Sequence, residues 1–236
     1  MIAQWLDQVV RGPVELETFG RSITIHPMLA SSRPGRFPSQ AVVVTTAARR
    51  LMELSKEGDK IKSIVVLGDD ADPSEHPEFH EISEQLREVC NKWFPKGKLC
   101  VICRVPSLDR QQTRHALNFY DHPIARLDAG TQKTFAALTG QKPAVFKSVV
   151  ENLTRLENDR LIVETEFVRG DVDNSKDTEV RAWLRHLADI RPSAVRILTP
   201  TKAAAKGGKP ITKTRMTEIA DLVAEKTGLS VEVVGG

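Results

Sequence analysis

The chain has 236 residues, 40% of them hydrophobic and 28% charged, an ordinary globular composition with length enough to bury a sizeable core. Thirty-four basic and 31 acidic residues leave a formal charge of +3, too little to mark a dedicated nucleic-acid binder. Apolar runs stay at a few residues, residues 1–10 lack a basic lead-in, and three cysteines make no disulfide framework, so the sequence argues against a transmembrane helix, a signal peptide and a disulfide scaffold and sets the expectation of a soluble cytoplasmic protein without a membrane partner.

Ile2, Trp5, Leu6 and Val9 fall at helical spacing and predict a short helix over residues 2–10, lying across one end of the fold. Strands follow at residues 22–26, 62–68 (KSIVVLG), 98–105 (KLCVICRV), 123–128, 161–168 (LIVETEFV) and 194–199. Amphipathic helical patterns separate them at residues 45–56, 78–93, 109–118, 131–138, 144–156, 178–188 and 212–226. Short, almost continuously apolar strands alternating with helices predict parallel βαβ units with right-handed crossovers. Six units are too few for a closed eight-stranded barrel. The expected fold is therefore α/β, an open partial (β/α)6 TIM-like barrel of parallel strands, with a doubly wound sheet as the alternative. Residues 230–234 add a short strand at a sheet edge. One domain is expected over residues 1–236: an N-terminal helix and lead-in at 1–20, a β/α core at 21–200, and a basic loop, last helix and short strand at 201–236.

Charge is uneven along this frame. Residues 18–52 carry Arg21, Arg33, Arg36, Arg49 and Arg50 without an acid, and residues 191–217 carry seven basic residues without an acid. Such segments either hold phosphate or RNA or are solvated loops; few aromatic residues accompany them, and base stacking normally needs these. Residues 69–88, by contrast, hold eight acids and one Arg. The stretch GDDADPSEHPEFH at residues 68–80 follows the predicted second strand, at the end where barrels and open sheets keep their chemistry. Asp69, Asp70 and Asp72 crowd within four positions, which suits a cation or a ligand ammonium group and makes one of them a candidate acid or base. His76 and His80 are spaced to share a helix face and to bind a metal with an Asp. The plain alternative is a helix start with Ser74 as N-cap and Pro77 in the first turn.

Cys100 and Cys103 have redox spacing but lie on one predicted strand, where residues three apart face opposite ways, so they are expected to be core, as is Cys90 late in a helix. Glu164 and Glu166 alternate toward one face of a strand and are expected either to line a site or to pair with Arg104, Arg126 or Arg196.

Several short motifs carry a resemblance. Gly12-Pro13-Val14, then Gly20-Arg21-Ser22 five residues on; Ala71-Asp72-Pro73-Ser74-Glu75-His76-Pro77; Leu127-Asp128-Ala129 with Thr131 and Phe135; Val168-Arg169-Gly170 with Asn174 and Ser175; and Thr199-Pro200-Thr201-Lys202 occur in this order. They resemble the radical S-adenosylmethionine (SAM) proteins of the GPVPSRRLGRSLG, GEPTLHP, LDA..ETF, VKGVNDS and TPTR pattern. The resemblance implies a partial (β/α)6 barrel. It also implies that Asp72 stands where the family's acid orients the SAM amino group, one carbon shorter, with Asp128 and Asn174 near the same mouth. The departure is the loop after the first strand. The family carries CxxxCxxC there, three thiolates for a [4Fe-4S] cluster, whereas residues 26–35 read HPMLASSRPG. An iron–sulfur cluster needs thiolates, so neither cluster nor reductive SAM cleavage is expected.

The sequence therefore predicts a cluster-less radical-SAM-like protein, a degenerate member that binds a small polar ligand, SAM or a SAM-like amine, at the barrel mouth. Asp69, Asp70, Asp72, Asp128, Glu164 and Asn174 are the candidate contacts, with no metal ligand and no catalytic residue assigned. The alternatives are an enzyme with metal-assisted, non-radical chemistry at the Asp69–His76 cluster, and an RNA- or protein-binding scaffold working through the basic loops.

Overall fold

The computed structural model describes residues 6–29, 37–69, 71–104, 108–156, 158–200 and 208–235. The chain divides into two compact units, Met1–Ile124 and Ala125–Gly236.

In the first unit, α1 (Leu6–Val9) runs directly into β1 (Val10–Leu16), which turns back as the antiparallel partner of β2 (Gly20–Ile25). The sequence reading missed β1 because Gly12 and Pro13 interrupt its apolar pattern; the strand tolerates them at a register irregularity between Arg11 and Val14 on a sheet edge. Then follow α2 (Gln40–Glu57), β3 (Ser63–Val66), α3 (Phe79–Trp93), β4 (Lys98–Cys103) and α4 (Gln111–Ala116). The strands lie in the order β1-β2-β3-β4, with β2, β3 and β4 parallel. Val43, Ala47, Leu51 and Leu54 recur at three- and four-residue spacing on α2, as Phe79, Ile82, Leu86 and Cys90 do on α3, and all are buried. Ile23, Ile25, Ile64, Val66, Leu99 and Val101 supply the sheet's share of this core. β5 (His122–Arg126) spans the division between the units.

The second unit contains α5 (Gln132–Thr139), α6 (Pro143–Thr154), β6 (Ile162–Glu166), α7 (Asp177–Ile190), β8 (Ala194–Leu198), α8 (Lys213–Thr227) and β10 (Ser230–Val234). β6, β8 and β10 form a parallel ladder in that order. β10 has the bounds its alternating sequence predicts. β7 (Val168–Gly170) and β9 (Gly208–Pro210) pair as a separate antiparallel ribbon, too short to leave a periodicity in the sequence. Val163, Val195 and Ile197 are buried on one face of the ladder, while Glu164, Arg196 and Glu232 stand in register on the other. Gly130 sits where no side chain fits: a Cβ there would overlap the Glu179 carbonyl oxygen and crowd the backbone of Trp183 on α7.

Candidate functional site

In the first unit Asp69, just after β3, meets residues at the paired ends of β1 and β2. The Asp69 backbone N–H donates to the Met28 carbonyl at 2.9 Å, tying the loop after β3 to the loop after β2. Arg11, the register partner of Thr24 across β1 and β2, reaches the Asp69 carboxylate with two guanidinium hydrogen bonds of 3.0 and 2.6 Å. His26 Nδ1 lies 2.8 Å from Asp69 Oδ1, and its Nε2 lies 3.0 Å from the Thr24 hydroxyl. Burial pushes the His26 pKa below 6.5, with the Arg11 charge in the same direction and Asp69 opposing. Hydroxyl, neutral imidazole, carboxylate and guanidinium thus form one chain. The Arg11–Asp69 contact carries no sequence signal, because the two residues lie 58 positions apart. Only the same-face spacing of Thr24 and His26 along a strand was readable.

Asp72 is buried, and both its carboxylate oxygens accept hydrogen bonds from the protein. One oxygen accepts from the Ser74 backbone N–H at 2.9 Å and the Ser74 hydroxyl at 2.5 Å; the other accepts from the Arg104 backbone N–H at 2.6 Å. It caps a 3-10 turn, Pro73–Glu75, so Asp72 takes the N-cap role that the helix-start reading gives to Ser74. Gly68 before it is required: a Cβ would overlap the Ala71 carbonyl oxygen. Asp70 lies outside the described residues.

The His76/His80 pair does not form. His76 precedes α3 and is fully buried. Its Nε2 donates to the Pro38 carbonyl at 2.9 Å, and its Nδ1 accepts from the Glu78 backbone N–H at 3.1 Å. Both ring nitrogens are spent on backbone, and burial lowers the pKa. Pro77 delays the helix to Phe79, so the four-residue spacing never becomes a helical face. His80 instead meets His115 of α4 at 3.1 Å.

All three cysteines are buried and unbridged. Burial pushes the Cys90 thiol up to about 11 and the Cys103 thiol well above its usual value, with the nearby Asp72 charge acting the same way. Among the described residues no group of three or more His, Cys, Asp or Glu side chains converges as a metal site. The cysteines occupy α3 and β4, and the loop after β2 holds none. This donor set does not fit a cubane cluster, which requires accessible, deprotonated thiolates converging on one centre.

In the second unit the remaining candidates hold strand ends together. Arg126 lies 3.1 Å from Asp128 and 3.1 Å from Glu166. Glu164 lies 3.2 Å from Arg196, which also binds Glu232 at 2.8 Å, and 4.0 Å from Arg126. Burial raises the Glu164 pKa while both guanidinium groups pull it back. This is the ion-pair reading of Glu164 and Glu166, realised with Arg126 and Arg196; Arg104 contributes its backbone to Asp72 instead. The Asn174 amide nitrogen donates to the carbonyls of Asp128 and Glu166, and its oxygen accepts from the Val168 N–H. Asn174 therefore joins the chain after β5 to the start of β7.

Several described basic side chains are likewise engaged: Arg21 with Asp59, Arg49 and Arg50 with Glu53, and Arg215 with Asp177 and Glu218. Arg33, Arg36, Lys202 and Lys206 lie outside the described residues. No described helix is long and apolar enough to cross a membrane.

No protein-family model matches the chain, and no curated protein matches it. Solved structures do. SuiB of Streptococcus suis bound to S-adenosylmethionine superposes with a TM-score of 0.61 at 12% identity over 86% of this chain and 45% of that one. The same protein bound to its precursor peptide SuiA gives 0.63 at 11% identity, over 90% and 48%. A radical SAM methyltransferase from Sphaerobacter thermophilus gives 0.58 at 15% identity, over 90% and 65%. The chain spans about half the length of SuiB. The fold is thus α/β, a mostly parallel sheet with flanking helices of the radical SAM partial-barrel type.

Proposed function

We propose that this chain is a cluster-less radical-SAM-like protein, a degenerate relative that binds a small polar ligand, SAM or a SAM-like amine, without radical chemistry. One observation carries the reading. After β2, where the resemblance calls for three cysteines, the sequence has none, and its first residue there, His26, is packed against Asp69 and Thr24. The likeness to a SAM-bound structure supports the ligand class. In the first unit Asp69 is the favoured contact, because its side chain stays 17% exposed and a carboxylate is the natural partner of an ammonium group. Asp70, Asp72, Asp128, Glu164 and Asn174 remain proposed contacts, to be separated one by one.

Calorimetric titration with SAM and with S-adenosylhomocysteine tests this reading. Saturable binding is expected, weakened about tenfold, the equivalent of one charge-assisted hydrogen bond, by Asp69→Asn. Absence of binding to either nucleoside would remove the ligand assignment. Formation of 5′-deoxyadenosine from SAM under reducing, anaerobic conditions would remove the cluster-less assignment.

A further inference from the structure

His80 and His115 stand apart from the proposed ligand contacts. His80 begins α3 and His115 ends α4. Their rings lie within 16° of parallel with centroids 5.3 Å apart, and His80 Nε2 faces His115 Nδ1 at 3.1 Å. That combination is an edge-to-edge pair sharing one proton between two lone pairs. Phe119 packs its ring edge-on against both imidazoles, with centroids 5.4 and 6.0 Å away. His115 is exposed and His80 half-buried, so solvent reaches the pair.

We propose that His80 and His115 form a two-imidazole site for a late first-row divalent metal: copper, nickel or zinc. Imidazole suits these ions and not Mg2+ or Ca2+. Two nitrogens bound to one zinc at about 2.0–2.1 Å stand roughly 2.8–3.4 Å apart at octahedral or tetrahedral angles, which brackets the observed separation. The metal takes the place of the shared proton, which passes through solvent to the far nitrogen of the ring that carried it, so both imidazoles stay neutral, and a turn of about 35–45° in each ring aims both lone pairs at the ion. Among the described residues no third His, Cys, Asp or Glu completes the sphere, so water fills it and the ion bridges α3 to α4.

The test uses the full chain in a non-coordinating buffer. Zn2+ titration should give one site per chain. His80→Ala and His115→Ala should each weaken it by about tenfold or more, and Mg2+ should not compete. Zn2+ should raise the melting temperature of the unaltered protein but not of the double variant. Cu2+ bound to the unaltered protein should carry an electron paramagnetic resonance signature of two nitrogen ligands, a readout that does not depend on how the variants fold. Unchanged zinc affinity in the double variant, or a copper signal with fewer than two nitrogens, would overturn the proposal.

Discussion

An imidazole buried beside a guanidinium resists protonation, and this sets how the protein responds to acid. His26 and His76 both have folded-state pKa values lowered from 6.5, chiefly by burial. The unfolded chain therefore takes up protons first as the pH falls. The stabilisation is complete above about 6.5 and is lost progressively below it. Urea midpoints should drop between pH values of about 7.5 and 5.5, and His76→Gln should flatten that drop; a pH-independent midpoint would contradict it. Asp72 has a different role. Replacing it with Ala leaves the buried Ser74 donors and the part-buried Arg104 N–H without their acceptor, a loss of about 2–4 kcal/mol in unfolding free energy, combining an N-cap with a charge-assisted bond. The thiols give a third check at this scale. With Cys90 pushed up to about 11 and Cys103 held well above its usual value by burial, native protein at mildly alkaline pH should react slowly with thiol reagents and become fully reactive only on denaturation.

At the scale of elements, the β6–β8–β10 ladder carries a row of charges in register. Glu164 and Arg196 are both buried, and Arg196 also holds Glu232 across the next strand pair. Glu164→Ala should cost about 1–3 kcal/mol, because it removes the buried partner of Arg196 and leaves that guanidinium only Glu232, while Arg126 keeps Asp128 and Glu166. Replacing Glu164 and Arg196 together with apolar residues of similar size should recover much of that loss, a contrast that chemical denaturation of the three variants would measure. The ladder also marks what a sequence conveys. β10 was legible because Ser230–Val234 alternates and stands alone after a helix, and the parallel core strands were legible because they are short and apolar. β1 was not, since its Gly-Pro pair reads as a break, and the β7–β9 ribbon was too short to set up a period. At the site, Asp69 follows β3 as its sequence suggests, but its partners were hidden. A bond such as Arg11–Asp69 joins residues 58 apart in the chain, and the helix face on which His76 and His80 would have met does not form because Pro77 delays α3 to Phe79.

At the scale of the whole molecule, the fold and the chemistry point in different directions. The sheet and helices follow the partial barrel of radical SAM enzymes, yet the residues after β2 offer an imidazole, a thioether and hydroxyls where that family offers thiolates. The three cysteines present are core residues of α3 and β4, and Cys103 is held beside Asp72. Moving Cys100 and Cys103 to a common metal would require breaking β4 out of its sheet, at the cost of its ladder and buried apolar contacts. The decisive measurement is iron and sulfide analysis, with visible absorbance, after anaerobic reconstitution of the purified full chain. No stoichiometric iron or sulfide and no thiolate-to-iron absorbance are expected. A stoichiometric cluster that disappears on mutation of Cys100 or Cys103 would contradict the cluster-less assignment.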